Sequence, residues 1–194
     1  MLLVVIQSKS DWSSTDVLAM IRHHFHKNDL VYSHAAKVVE QAVNRKERVL
    51  VLIDEVGQFP RLLRACKIPL KLAHGGVTDP KRKKELLKEY HKSDPMALVK
   101  AFDAGEFPVL VGTSCIGMGT DVKSVTTIVD MVHDSSETRV RQSVGRGTRL
   151  FPEKNRCMYF DYVVKNVPPL QKQGMKRNKI FNDIYGPVRT VDLG

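Results

Sequence analysis

Apolar residues along this chain gather in short runs of Val, Ile and Leu instead of one long amphipathic repeat. The runs Leu2–Ile6, Val49–Ile53, Pro69–Ala73, Val109–Val111, Val125–Val129 and Cys157–Phe160 read as buried strands. Between them, Asp29–Asn44 sets Val31, Ala35, Val38, Val39 and Ala42 at helical spacing on one face. Asp79-Pro80 and Asp94-Pro95 each place a capping acid before a first-turn proline, so two helices are expected to start there, the second ending near Gly105. Strands alternating with helices predict an α/β fold, a mostly parallel β-sheet with helices on both faces. Such sheets bind ligands at the carboxyl ends of their strands, which directs attention to the loops after Ile53, Ala73, Val111 and Val129. From Val167 to Gly194 the chain turns polar and basic (KQGMKRNK) and predicts a C-terminal helix followed by a basic tail.

Composition changes the picture in one respect. Lys+Arg number 31 against Asp+Glu 21, a net charge of +10, which favours polyanionic partners, nucleic acid ahead of an acidic membrane. No apolar run approaches the roughly 20 residues of a membrane span, and MLLVVI lacks the basic start of a signal peptide. Cys66, Cys115 and Cys157 are odd in number and form no CxxC pair, the pattern of reduced thiols in a cytoplasmic protein.

Three motifs look like chemistry and fall short of it. VLVLIDE, ending in Asp54-Glu55, has the form of a magnesium-holding strand, but that function needs GxxxxGK[ST], and no glycine here precedes a lysine. Asp54-Glu55 therefore reads as an acidic pair at a strand end. Gly117-x-Gly119 follows a strand as in a dinucleotide-binding turn, but position 122, where a third glycine belongs, is Val122. HHFH at His23–His26 reads as a surface helix, since a metal site wants convergent ligands with Cys or carboxylate support. No metal site is expected.

Three further loops carry more. His74-Gly75-Gly76 follows a strand and reads either as a tight turn or as a loop that lets backbone approach a ligand. LAHGGVTDPKR, VLVGTSCIGMGTDV and RQSVGRGTR occur in that order, each at or just beyond a strand exit. Together they resemble the second, C-terminal RecA-like domain of superfamily 2 helicases and translocases, over Val49 to about Tyr162. The wording HGG with GRGTR is nearest to phage and bacterial DNA-repair helicases and restriction-enzyme motor subunits. DEAD-box RNA helicases begin the last motif with histidine, where this chain has Gln142.

The resemblance implies roles for individual residues. ATP and Mg2+ would be held mainly by an N-terminal RecA-like domain, absent from this chain, which carries no phosphate loop. Arg149 would be the arginine finger and Arg146 its companion, on a helix start that Gly145 and Gly147 keep free of bulk. Gln142, Gly119 and Asp121 would face the ATP, Asp121 accepting from a ribose hydroxyl. Thr113, Ser114, His74 and Gly75 would touch a nucleic-acid backbone, DNA ahead of RNA. With 7% aromatic residues there is little to stack bases, so contacts to sugar and phosphate are expected. Residues 1–28 would be an interdomain connection with a first strand and helix, 29–166 the RecA-like domain, and 167–194 a C-terminal helix and tail. The leading reading is the motor half of an ATP-dependent helicase, inactive as an ATP hydrolase alone. The alternative is a non-catalytic nucleic-acid-binding module derived from such a half.

Overall fold

The computed structural model describes residues 1–77, 80–113, 116, 122–147 and 156–193. Seven strands form one sheet: β1 (Leu2–Ile6), β2 (Val49–Ile53), β3 (Lys71–Ala73), β4 (Val109–Gly112), β5 (Thr127–Met131), β6 (Met158–Val164) and β7 (Arg189–Asp192). Their order is β3-β4-β2-β5-β6-β1-β7, and every pairing is parallel. All carboxyl ends therefore lie along one edge.

The sheet is covered on both faces, and β2 shows why its run is uninterrupted. Val49, Val51 and Ile53 pack with α2 (Asp29–Asn44) and α3 (Phe59–Ala65) on one face. Leu50 and Leu52 pack on the other with Val99 and Phe102 of α5 (Pro95–Ala104), Val140 and Val144 of α6 (Glu137–Gly147), and Ile180 and Phe181 of α7 (Pro168–Tyr185). Two short helices, α1 (Val17–Met20) and α4 (Pro80–Glu85), also lie among the described residues.

Local chemistry sets the ends of these elements. Asp94 accepts from the Ala97 amide, capping α5, and Gly105 at φ 86° ends it. The expected cap Asp79 lies outside the described residues. The strand expected at Val125–Val129 sits two residues later because the Lys123 and Ser124 amides turn to the Asp103 carboxylate and that of Thr126 to the Arg48 carbonyl.

The C-terminal segment departs from its expectation. The tail ends in β7, which pairs with β1 from Leu2↔Arg189 to Val5↔Asp192 and places it at an exposed sheet edge. The histidine stretch also differs. A π-helical turn over Ile21–Phe25 carries His24 inward, and His24 and His26 are buried, not on a surface helix. Among the described residues, no helix is long and apolar enough to cross a membrane.

Candidate functional site

The exits of β2, β4 and β5 converge on the first turns of α6 and enclose a cavity of about 440 Å3. Asp54, Thr113, Asp134, Ser136, Arg139 and Gln142 contribute to its wall. Gln58 clamps two of these exits: its Oε1 accepts from the Asp54 and Glu55 amides at 2.8 and 3.0 Å, and its Nε2 donates to the Met131 carbonyl at 3.2 Å. Asp54 in turn accepts from the His133 amide at 2.9 Å and pairs with His26 Nε2 at 3.2 Å. The acidic strand end thus serves the architecture, with Glu55 paired to Arg22 at 2.6 Å.

Helix α6 presents a stripe at positions i, i+3, i+4 and i+7: Arg139, Gln142, Ser143 and Arg146. Its inner side meets a buried polar cluster. Asp130 on β5 accepts from the Tyr159 hydroxyl at 2.5 Å and from the Val132 amide at 3.0 Å, and lies 3.5 Å from Arg139 Nη2. Burial opposes the Arg139 charge, but Asp130 and its neighbours outweigh that and raise its pKa. Burial comes first at Arg146 too, and there, with Arg139 nearby, the pKa moves down. Burial, then Asp130, pushes the Tyr159 hydroxyl well up, so it remains a donor.

The residues singled out in the sequence that lie among the described ones now have a place. Thr113, at the end of β4, and Gln142 line the same cavity. Arg146 is 5% exposed and turned inward. The expectation that glycines clear a helix start is corrected: α6 starts at Glu137, and Gly145 falls near its end, where an added Cβ would meet nothing within 4 Å. His74 is 2% exposed; its Nε2 donates to the Tyr90 carbonyl at 2.8 Å and its Nδ1 accepts from the Gly76 amide at 3.0 Å. Both ring nitrogens are engaged in shaping the loop, so the surface it offers is the backbone of Gly75 and Gly76, the latter at φ 112°, a value favouring glycine. Ser114, Gly119, Asp121 and Arg149 lie outside the described residues. Asp134, Ser136 and Arg139 were not assigned roles from sequence, because three separate strand exits build the cavity they line.

A glycine-rich loop after β3, a threonine closing β4 and an arginine-bearing helix after β5 thus share one edge of a parallel sheet. Residues 27–150 match the family model described as the helicase conserved C-terminal domain. The chain belongs to this family. Within it, the fold is that of the C-terminal RecA-like domain of superfamily 2 helicases.

Among curated relatives, this helicase domain is 35% identical over 101 residues to UvrABC system protein B of Clostridium botulinum, covering 48% of this chain and 15% of that protein. It is 27% identical over 129 residues to the ATP-dependent RNA helicase uap56 of Schizosaccharomyces pombe, covering 60% of the chain and 27% of the relative. The chain therefore spans less than a third of the length of either relative. Among solved structures, T4 UvsW superposes with a TM-score of 0.68 at 14% identity, over 100% of this chain and 42% of that one. Domain 2 of the DEAD-box helicase Mss116p bound to an RNA duplex gives 0.58 at 16%, over 100% and 63%. At these identities the structures speak to fold.

Proposed function

We propose that this chain is the C-terminal motor half of an ATP-dependent superfamily 2 helicase or translocase, acting on DNA ahead of RNA and paired with an N-terminal RecA-like domain. One observation carries the reading. Thr113, a candidate for the nucleic-acid strand, and Gln142, a candidate for the ATP, wall the same cavity, so one loop and one helix can feel both ligands.

The residues present fit an anionic ligand at this edge. Arg139 Nη1 is buried with no hydrogen-bond partner among the described residues, a costly state that a phosphate oxygen would relieve. ATP, held with Mg2+ by the partner domain, supplies the phosphoryl group. This chain's contribution is positive charge and geometry. Arg149 is the proposed finger. Arg146, buried and within the electrostatic reach of Tyr159 and Asp130, is proposed as its companion. Gln142, Gly119 and Asp121 are proposed to face the nucleotide. Thr113, Ser114 and the Gly75 backbone are proposed to grip sugar and phosphate, with His74 keeping that loop in shape.

The test uses the pure chain. It should hydrolyse no ATP above background, with or without DNA, because it has no phosphate loop of its own. It should bind single-stranded DNA weakly, without sequence preference, and with affinity falling as salt rises by a log–log slope of about −0.7 for each phosphate neutralised. Parallel titrations with RNA of the same sequence rank the two substrates. Robust turnover by the chain alone, abolished by Arg149→Ala, contradicts the proposal.

A further inference from the structure

The loop leaving β1 is held far more firmly than an exposed connection requires. Ser8 Oγ shares a hydrogen bond with Nδ1 of His24 at 2.7 Å and accepts from the Ser10 amide at 3.3 Å. His24 Nε2 donates to the Trp12 carbonyl at 2.8 Å, so both ring nitrogens are engaged. Ser10 Oγ accepts from the Trp12 amide at 3.2 Å and bonds to His23 Nε2 at 2.8 Å. Asn166 secures the other side, accepting from the Ser8 amide at 2.8 Å and donating to its carbonyl at 2.7 Å.

What all this order fixes is Trp12, the single tryptophan of the chain, which remains 43% exposed. Its ring stands on that of His23, with centroids 4.6 Å apart and planes tilted by 34°. Fixing a loop costs conformational entropy, normally offset by burying apolar surface. Here much of the indole is left in water, the state of an aromatic platform organised ahead of its ligand.

His23 is also part of the wall of a cavity of about 450 Å3 that includes Lys9, Ser10, Lys27 and Ser33. Neither lysine has an ion-pair partner among the described residues, whereas Asp29, the carboxylate in the same wall, is drawn to Arg61 at 3.2 Å. Burial, then His24 and Lys27, lowers the His23 pKa, so the ring under Trp12 is neutral at pH 7. Because every strand is parallel, this cavity opens on the same sheet edge as the one at β2, β4 and β5. With the order β2-β5-β6-β1, β1 stands three strand spacings from β2, about 14 Å.

We propose that this second cavity, with Trp12 packed behind its His23 wall and not itself lining it, is part of a nucleotide-binding subsite in which Lys9 and Lys27 hold a phosphate and the exposed face of Trp12 stacks the attached base. The inference rests on the reading of the chain as a nucleic-acid-gripping motor half and adds a base contact to a grip otherwise made of backbone contacts. The ligand chemistry, an aromatic base with a phosphate, can come from a single strand or from a free nucleotide.

Trp12 fluorescence reports this loop alone, since no other residue contributes tryptophan emission. The intact chain is titrated with a thymidylate dodecamer, an abasic strand of equal length, and thymidine monophosphate, while anisotropy of a labelled strand reports binding independently. The dodecamer should quench Trp12 at least about twofold and the abasic strand should bind without that quench. Lys9→Ala/Lys27→Ala should raise the half-saturating strand concentration about tenfold. Trp12→Leu, followed by anisotropy, should weaken the dodecamer several-fold and the abasic strand not at all. Quenching by the dodecamer alone assigns the strand as the source; quenching by the monophosphate as well shows that one nucleotide suffices. Binding by anisotropy with unchanged Trp12 emission, or an unaltered Trp12→Leu, overturns the subsite and leaves the motor reading intact. No binding of any strand by anisotropy overturns both.

Discussion

Replacing Arg177 with methionine removes the guanidinium that ties α7 to the sheet. Its Nε lies 3.2 and 3.1 Å from the two Asp161 oxygens, and its Nη2 donates to the Tyr162 carbonyl at 2.6 Å. Both partners are about 1% exposed. Burial already pushes the Asp161 carboxyl up to about 6, with Arg177 pulling the other way, so losing the cation drives it higher and favours the neutral acid. Stranding one member of such a pair costs about 3–5 kcal/mol, a large share of the roughly 5–15 kcal/mol that holds a domain folded. The double variant Arg177→Met/Asp161→Leu should recover most of that loss, since no charge is left buried. Urea denaturation of the wild type, both single variants and the double at pH 7 closes the cycle. The consequence reaches the site, because α6, which carries the arginines, packs against α7. A loss below about 1 kcal/mol for Arg177→Met would refute the reasoning and show that α7 is anchored by apolar contacts alone.

Other outcomes follow from the same structure. Burial first, then Arg177 and His26, hold the His133 pKa well below 6.5, so the fold binds fewer protons there than the unfolded chain. Its contribution is complete above pH 6.5 and lost as pH falls below it; His133→Gln should flatten the dependence of the urea midpoint on pH between 6.5 and 5, and an unchanged slope would reject the assignment. Gly174→Ala places a Cβ 2.5 Å from both Val163 γ-carbons and should cost about 1–3 kcal/mol, read as a lower urea midpoint at unchanged slope. In a protein joining this chain to a phosphate-loop domain, Thr113→Ala should mainly weaken nucleic-acid stimulation, whereas Asp121→Ala should mainly raise the ATP concentration needed. Identical defects in the two titrations would show that this loop is only scaffold.

Much of the sheet was legible because parallel strands buried on both faces leave uninterrupted apolar runs, as at Val49–Ile53. The α2 helix was legible in full because its apolar spacing matches one face; its cap, Asn28, is seen in the structure. β6 was expected to stop at Phe160 but continues to Val164, since Asp161 breaks the apolar run and only the fold supplies Arg177 to neutralise it. β7 carries RTVD, an edge strand with no apolar alternation, and its only signal is a partner far away in sequence. The histidines misled for a related reason: burial of His24 depends on Ser8 and the Trp12 carbonyl. At the site, the glycines after His74 were readable as a place where backbone is exposed. That the imidazole faces inward was not, because its partner, the Tyr90 carbonyl, is set by the following loop.

The proposal that this domain supplies charge to ATP held by another is tested most directly by nucleic-acid-stimulated ATP turnover in a protein that joins it to a phosphate-loop RecA-like domain. Arg149→Ala should lower that turnover about a thousandfold, the magnitude expected of an arginine finger acting across an interface, while ATP binding weakens far less. Turnover near that of the unmodified protein would contradict the account.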